Sequence, residues 1–381
     1  MKSKSLLTLM LVPFMVGCGS SSSTSEPTTV TILDGQGRNV TIDKTKVDRV
    51  ICVGAGALRY YSYIGDVKNV IAVEEIDSAN TFGVGQAMRP YYMANYETFK
   101  TLPTIGKGGP MAQFADAEKI AAAKPNIIVS FLSAEANDEL QNKINVPVIG
   151  LKQGGDGVFD TATMNSFLAL GLAFSKSERA ESLNRYIEDC KDDFKDLTMT
   201  TDTYYVGGIG NWGQTSMYGS FKGFPVFQYA KVKSAIDDME FKDKDGKVIA
   251  KGQVTLDMEK LQSIKADHIF MDTAGINGFI SDYKKEGNDV KYDALKAFTT
   301  KETYQLMPYN AYYSNLEIQL MSTYYVASVA HSNFKLNLET KMNEITEKFL
   351  GKEMYNEIKA HQYGMGGYQK VDLVELAKRA N

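Results

Sequence analysis

The sequence predicts an α/β protein: two doubly wound α/β lobes joined by a long helical spine, with a cleft between the lobes. Three observations predict it. First, short apolar runs closed by glycine or polar residues alternate with helical periodicity. Val50–Val53, Val70–Val73, Ile127–Phe131 and Val146–Leu151 read as strands of a first lobe. Tyr204–Ile209, His268–Met271 and Tyr304–Met307 read as strands of a second, and strands so separated by helices favour parallel sheets. Second, the chain repeats itself. Asp116, Glu118, Lys119, Lys124 and Ile128 recur at the same spacing as Asp257, Glu259, Lys260, Lys265 and Ile269, with Ile120 matched by Leu261. Each copy reads as a helix feeding a buried strand, so two lobes are built alike. Third, Asp160–Thr201 holds no proline, and Leu183, Ile187, Cys190, Phe194 and Leu197 step by four and three along one helical face. Met164, Phe167 and Leu168 mark an earlier helical piece. Gly171 and a Ser175-to-Glu178 capping box place a break between the two.

The boundaries follow: 30–158 for the first lobe, 159–200 for the spine and 201–381 for the second lobe. Before them, Lys2 and Lys4 precede the eleven-residue apolar run Leu6–Val16. That is too short to span a bilayer but fits the core of a secretory signal, residues 1–17. The run ends at Met15-Val16-Gly17-Cys18, which resembles a lipobox with Met in place of the more usual Leu. The resemblance implies cleavage before Cys18 and lipid on its sulfur; the alternative is an ordinary secretory signal containing a cysteine. Residues 18–29 then read as a tether, because Gly19–Thr29 contains only Gly, Ser, Thr, Glu and Pro. Losing Lys2 and Lys4 moves the formal charge from −4 to −6, which gives no nucleic-acid footprint. Cys52 falls in an apolar strand and Cys190 on the helical stripe, so both read as small buried hydrophobes, with a disulfide between them as the open alternative.

Several segments in order resemble the class III periplasmic binding proteins. Val30–Ile42 is similar to that family's opening hairpin, and Asp48-Arg49-Val50-Ile51 with Gly54 to its first strand. Leu102-Pro103-Thr-Ile-Gly106, Ala117–Ile120 and Lys124–Ile128 follow, then Pro308-Tyr309-Asn310 with Tyr312–Asn315. The resemblance implies a binding protein rather than an enzyme, which captures a metal chelate, foremost a ferric siderophore, and delivers it to an ABC permease and its ATPase. It also implies a monomer, with no cofactor of its own, exported and held to the membrane surface by a lipid anchor. Haem, cobalamin and bare ferric ion bound by tyrosines and carboxylates are alternative cargoes. One glutamate on each lobe is expected to dock on the permease. Glu97 and Glu240 are the nearest choices, although the segment around Glu240 lacks the family's Gly-Gly pattern.

Ligands of doubly wound sheets bind beyond the carboxyl ends of the strands. The loops there offer Arg59 and Tyr60, then Arg89, Tyr91 and Tyr92, in the first lobe. Trp212, Tyr218, Tyr309, Asn310 and Tyr312 come from the second. Aromatic faces, phenols and arginine forks suit a bulky, partly flat, negatively charged ligand. The same tyrosines also fit core packing, as do Tyr61, Tyr324 and Tyr325. Only His268, His331 and His361 are present, and none falls in these loops, which disfavours a histidine metal site. A surface lipoprotein enzyme is the competing class. The chain offers it little: no Gly-x-Ser-x-Gly elbow, no Cys-His pairing, and Arg59 where a dinucleotide loop opened by Gly54 and Gly56 needs its third glycine. Glu74-Glu75 reads as solvated surface charge.

Overall fold

A computed structural model of the 381-residue chain describes residues 28–78, 88–108, 116–210, 216–361 and 366–380. The signal segment, Cys18 and Trp212 lie outside the described residues.

The first lobe opens with the antiparallel hairpin β1 (Thr29–Leu33) and β2 (Asn39–Asp43). Asp34 closes the turn by accepting from the N–H groups of Gln36 and Arg38, and it also takes the N–H of Gly150. There follow β3 (Val50–Val53), α1 (Ala57–Ile64), β4 (Val70–Ala72), α2 (Pro90–Ala94), α3 (Tyr96–Phe99), α4 (Ala117–Ala123), β5 (Ile127–Ser130), α5 (Ala134–Ile144) and β6 (Val148–Gly150). The strands form one parallel sheet ordered β4-β3-β5-β6.

Two helices make the spine: α6 (Thr161–Ala173) and α7 (Ser177–Asp192). The break between them differs from the expectation. No capping box forms; Ser175 turns left-handed (φ 54°), and Lys176 precedes the first turn of α7 without a side-chain cap. Gly171 lies inside α6. A Cβ there would sit 2.7 Å from that of Ala180, so the glycine lets the two helices approach closely.

The second lobe contains β7 (Thr203–Gly207), β8 (Gly219–Lys222), α8 (Pro225–Tyr229), β9 (Lys233–Ser234), β10 (Gly252–Thr255), α9 (Met258–Ser263), β11 (His268–Asp272), α10 (Ile276–Tyr283), α11 (Asn288–Asp293), α12 (Lys296–Thr299) and β12 (Thr303–Leu306). It ends with α13 (Leu316–Ala330), α14 (Leu338–Leu350), α15 (Tyr355–Ala360), β13 (Gln369–Lys370) and α16 (Leu373–Arg379). Its main sheet is ordered β13-β12-β11-β7-β9, parallel except for β13, and β8 pairs with β10 in a separate ribbon.

The sequence repeat has a structural cause. Asp116 and Asp257 each cap a helix by accepting from the N–H of the lysine three residues on. Lys124 (φ 53°) and Lys265 (φ 47°) both turn left-handed just after the helix. The strand that follows, β5 or β11, lies inside its sheet.

Side-chain alternation decides where the cores lie. Val50, Cys52, Ile127 and Val129 point to one face of the first sheet, and Tyr204, Val206 and Phe270 to one face of the second. These faces share a single apolar core, filled between them by Tyr60, Phe167, Ile187, Phe194 and the side chains of α13. The opposite faces have smaller cores of their own, one around Ile51, Val53 and Ile128, the other around Tyr205, Ile269 and Met271. Every residue of α13 from Leu316 to Ala327 is buried, so this helix is enclosed on all sides. Cys52 and Cys190 are buried and unbonded. No helix among the described residues is long and apolar enough to cross a membrane.

Candidate functional site at the carboxyl ends of both sheets

Each sheet reverses its strand order beside its first strand, and such a switch point opens a crevice. The two lobes build theirs alike. Gly54 (φ 88°) follows β3 and lies against Phe131 at the end of β5; Gly208 (φ 84°) follows β7 and lies against Asp272 at the end of β11.

The segment after β12 crosses from the second lobe to the first. Asn310 and Ser314 form a bridge that folds it into a tight turn, and Asn315 N–H bonds back to the carbonyl of Tyr309. Tyr312 (φ 54°) and Tyr313 (φ 74°) at its tip both hold left-handed backbone. Two such residues in succession, neither of them glycine, are a strained arrangement that the surroundings must hold in place. The Tyr313 ring lies 5.3 Å from that of Phe131, and Tyr313 is 42% exposed. Gly56 (φ 92°) makes room beneath it, because a Cβ there would lie 3.2 Å from Tyr313. Gly56→Ala is therefore expected to lower stability by about 1–2 kcal/mol from backbone strain and to displace Tyr313; urea unfolding of the variant measures the first.

Glu74, two residues past the end of β4, corrects a reading from sequence. It is not solvated surface charge but 5% exposed. It accepts from Gly54 N–H and from the hydroxyl of Tyr312, so one bond joins the lobes. Burial pushes its carboxyl up to about 7 against these two bonds, and nearby Asp77 adds to the rise. In the second lobe, burial pushes Asp272 up to about 7 as well, against the N–H groups of Tyr309 and Ala274.

The other residues singled out in the sequence fall in different places. Arg59, Tyr60, Tyr91 and Tyr92 are fully enclosed, and Arg89 nearly so. The Arg59 fork donates to the carbonyls of Ala311 and Tyr312 and to Asn315 Oδ1. Arg89 pairs with Asp77, which also receives the Tyr91 hydroxyl. Both forks are thus committed to the protein. The physical reason is that Arg59 sits in the first turn of α1, a helix buried on nearly every side. Tyr60 packs edge-on against Phe131 and near Phe167, and Tyr61, Tyr324 and Tyr325 are likewise core. Tyr309 is buried against Phe224; Asn310 contacts the Gly210 carbonyl at 3.4 Å; Tyr218 donates to Asp282 at the rim of the second core. Tyr312 stands at the lobe junction. Glu97 and Glu240 are exposed, paired with Lys100 and Lys242. His268 begins β11, at the opposite end of the strand from the crevice. Among the described residues, no group of three His, Cys, Asp or Glu side chains is placed to hold a metal ion.

No protein-family model matches the chain, and no curated protein matches its sequence. Solved structures do match. A periplasmic solute-binding protein from Veillonella parvula superposes with a TM-score of 0.65 at 14% identity, covering 87% of this chain and 95% of that one. The molybdate-binding protein MolA of Haemophilus influenzae gives 0.61 at 14%, covering 85% and 98%. A TroA-like periplasmic binding protein, FepB from Veillonella parvula, gives 0.61 at 17%, covering 85% and 97%. At these identities the likeness is one of fold, and the chain has the fold of the periplasmic solute-binding proteins of ABC importers.

Proposed function

We propose that a chain with this fold, in which one tyrosine turn bridges the strand ends of both lobes, is the solute-binding component of an ABC importer. It captures a metal chelate, foremost a ferric siderophore, and passes it to a membrane permease driven by an ATPase. The residues before the first lobe hold it, as an exported lipoprotein, to the membrane surface through Cys18, and it acts as a monomer that binds and releases without catalysis or a resident cofactor.

One observation carries the reading. A strained tyrosine turn from the second lobe is held over Gly56 and Phe131 of the first, at the carboxyl ends of both sheets. Backbone strain concentrates where binding needs it, and aromatic faces with phenol hydroxyls suit an organic chelate. The electrostatics modify the expected cargo. With both arginine forks bound to protein, and with Glu74 and Asp272 as the acids at the strand ends, a highly anionic complex meets no buried cation committed to it among the described residues. A chelate of low net charge, such as a neutral ferric trihydroxamate, fits better than a trianionic ferric tricatecholate.

Calorimetric titration of the soluble chain from Gly19 onward tests this with a ferric trihydroxamate, a ferric tricatecholate, haem, cobalamin and bare Fe(III). Saturable sub-micromolar binding of the trihydroxamate, weakened at least tenfold in Tyr313→Ala, is the expected result. Tight binding of bare Fe(III) alone would replace the chelate with direct coordination.

A further inference from the structure

Arg59 is a fully buried cation with no carboxylate in ion-pair contact among the described residues, although its charge reaches buried Asp77 and Glu317 and partly offsets the rise that burial gives both carboxyls. Arginine keeps its charge in proteins, and burying a charge without a partner is costly unless hydrogen bonds surround it. Here the bonds come almost entirely from one short segment of the other lobe. Nη1 donates to the Tyr312 carbonyl at 3.0 Å, and Nη2 donates to the Ala311 carbonyl at 2.6 Å and to Asn315 Oδ1 at 2.8 Å. The guanidinium also lies 4.8 Å from the centre of the Tyr91 ring, whose hydroxyl is anchored on Asp77. Asn315 continues the grip, since its Nδ2 donates to the carbonyls of Met88 in the first lobe and Pro308 in the second.

The carbonyls that Arg59 holds belong to Ala311, the residue before the left-handed pair, and to Tyr312, its first member. Peptide planes flanking two left-handed residues point their carbonyls in directions that ordinary backbone does not, and a planar fork with several donors satisfies more than one of them at once. We propose that Arg59 is a positioning residue for ligand recognition: from the first lobe it fixes the strained Tyr312–Tyr313 turn of the second in the conformation that meets cargo. It determines specificity without touching the ligand. This rests on the proposed function for its consequence in binding, but its structural half stands separately.

The experiment compares the wild-type chain with Arg59→Met and Arg59→Lys by hydrogen exchange and by titration with a ferric trihydroxamate. Lysine keeps the charge and much of the stem but loses the fork, so it isolates the role of the geometry and serves as the second variant should methionine not fold. The amides of Ala311 and Asn315, bonded within the turn, are expected to exchange at least tenfold faster in both variants. Amides of β5 and of the middle of α13 should keep wild-type rates, and affinity for the trihydroxamate should fall at least tenfold. Faster exchange spread evenly over β3, β5 and α13 would reduce Arg59 to a core-packing residue and overturn the proposal. So would unchanged exchange at 311 and 315 in the lysine variant, or a loosened turn with undiminished affinity. If the wild-type chain binds none of the chelates, the function falls, while local loosening of the turn still upholds the structural half.

Discussion

Truncating Phe194 to alanine is expected to destabilise the whole molecule by about 3–5 kcal/mol, in a single unfolding transition that both lobes share. Phe194 lies just past the end of α7, where the spine meets everything else. Its ring is 4.7 Å from Tyr324 of α13, 5.7 Å from Phe334 and 6.4 Å from Phe159. The hydroxyl of Tyr324 donates to neighbouring Asp193, fixing the same junction a second time. Because one apolar core runs from the first sheet through the spine to the second, a cavity there weakens both lobes together. Unfolding in urea, followed by far-ultraviolet circular dichroism and by hydrogen exchange in β5 and β11, distinguishes the possibilities. Coincident shifts at both strands fit a shared core. A shift confined to one strand would mean that the lobes unfold separately. The same continuity opposes a wide hinge motion, so ligand addition is expected to change the radius of gyration very little.

The second large effect concerns pH. Glu74 has an ordinary value of 4.5 and is pushed up to about 7 in the fold by burial. Between those two values the folded chain holds a proton that the unfolded chain has released, so stability falls as pH rises across that window and levels off above it. Two and a half units correspond to about 3 kcal/mol. Glu74→Gln removes the ionisation while keeping a carbonyl for Gly54 N–H. The variant should therefore match the wild type at pH 4 and exceed it by about 2–3 kcal/mol at pH 8. Equal differences at both pH values in urea unfolding would refute this assignment. Asp272, also pushed up to about 7, contributes in the same direction, so Glu74→Gln flattens the pH profile only in part. Glu74 thus carries this cost on one of the bonds that join the lobes, and acids with values shifted by burial cluster at functional sites.

Much of this architecture was legible in the sequence, for identifiable reasons. The parallel strands are buried on both faces and read as unbroken apolar runs, and the two copies of the Asp-to-Ile repeat impose the same cap, left-handed exit and inner strand. The helix α13 was hidden because it is buried all round and so presents no stripe. Glu74 was misread because its neighbour Glu75 suggested a charged surface; its position immediately after Val70–Val73 was the available signal, since that is where a parallel strand delivers its next residue to the crevice. Arg59 and Tyr60 were placed at the correct end of the sheet, but α1 begins at Ala57. Their side chains are therefore carried into the wall of the crevice, and sequence alone does not show in which direction a residue one turn into a helix points. Arg59 gained a different part by that displacement. Asn315, which ties the turn to both lobes, carried no signal beyond its place in the tyrosine-rich segment.

The central claim is that cargo sits between the lobes and touches the strand ends of both. Hydrogen exchange of the chain with and without a saturating ferric trihydroxamate tests it most directly. The account predicts simultaneous protection of residues 54–60 and 74–78 in the first lobe and of 308–315 in the second, with little change in the spine. Protection confined to one lobe, or lying away from the strand ends, would contradict it.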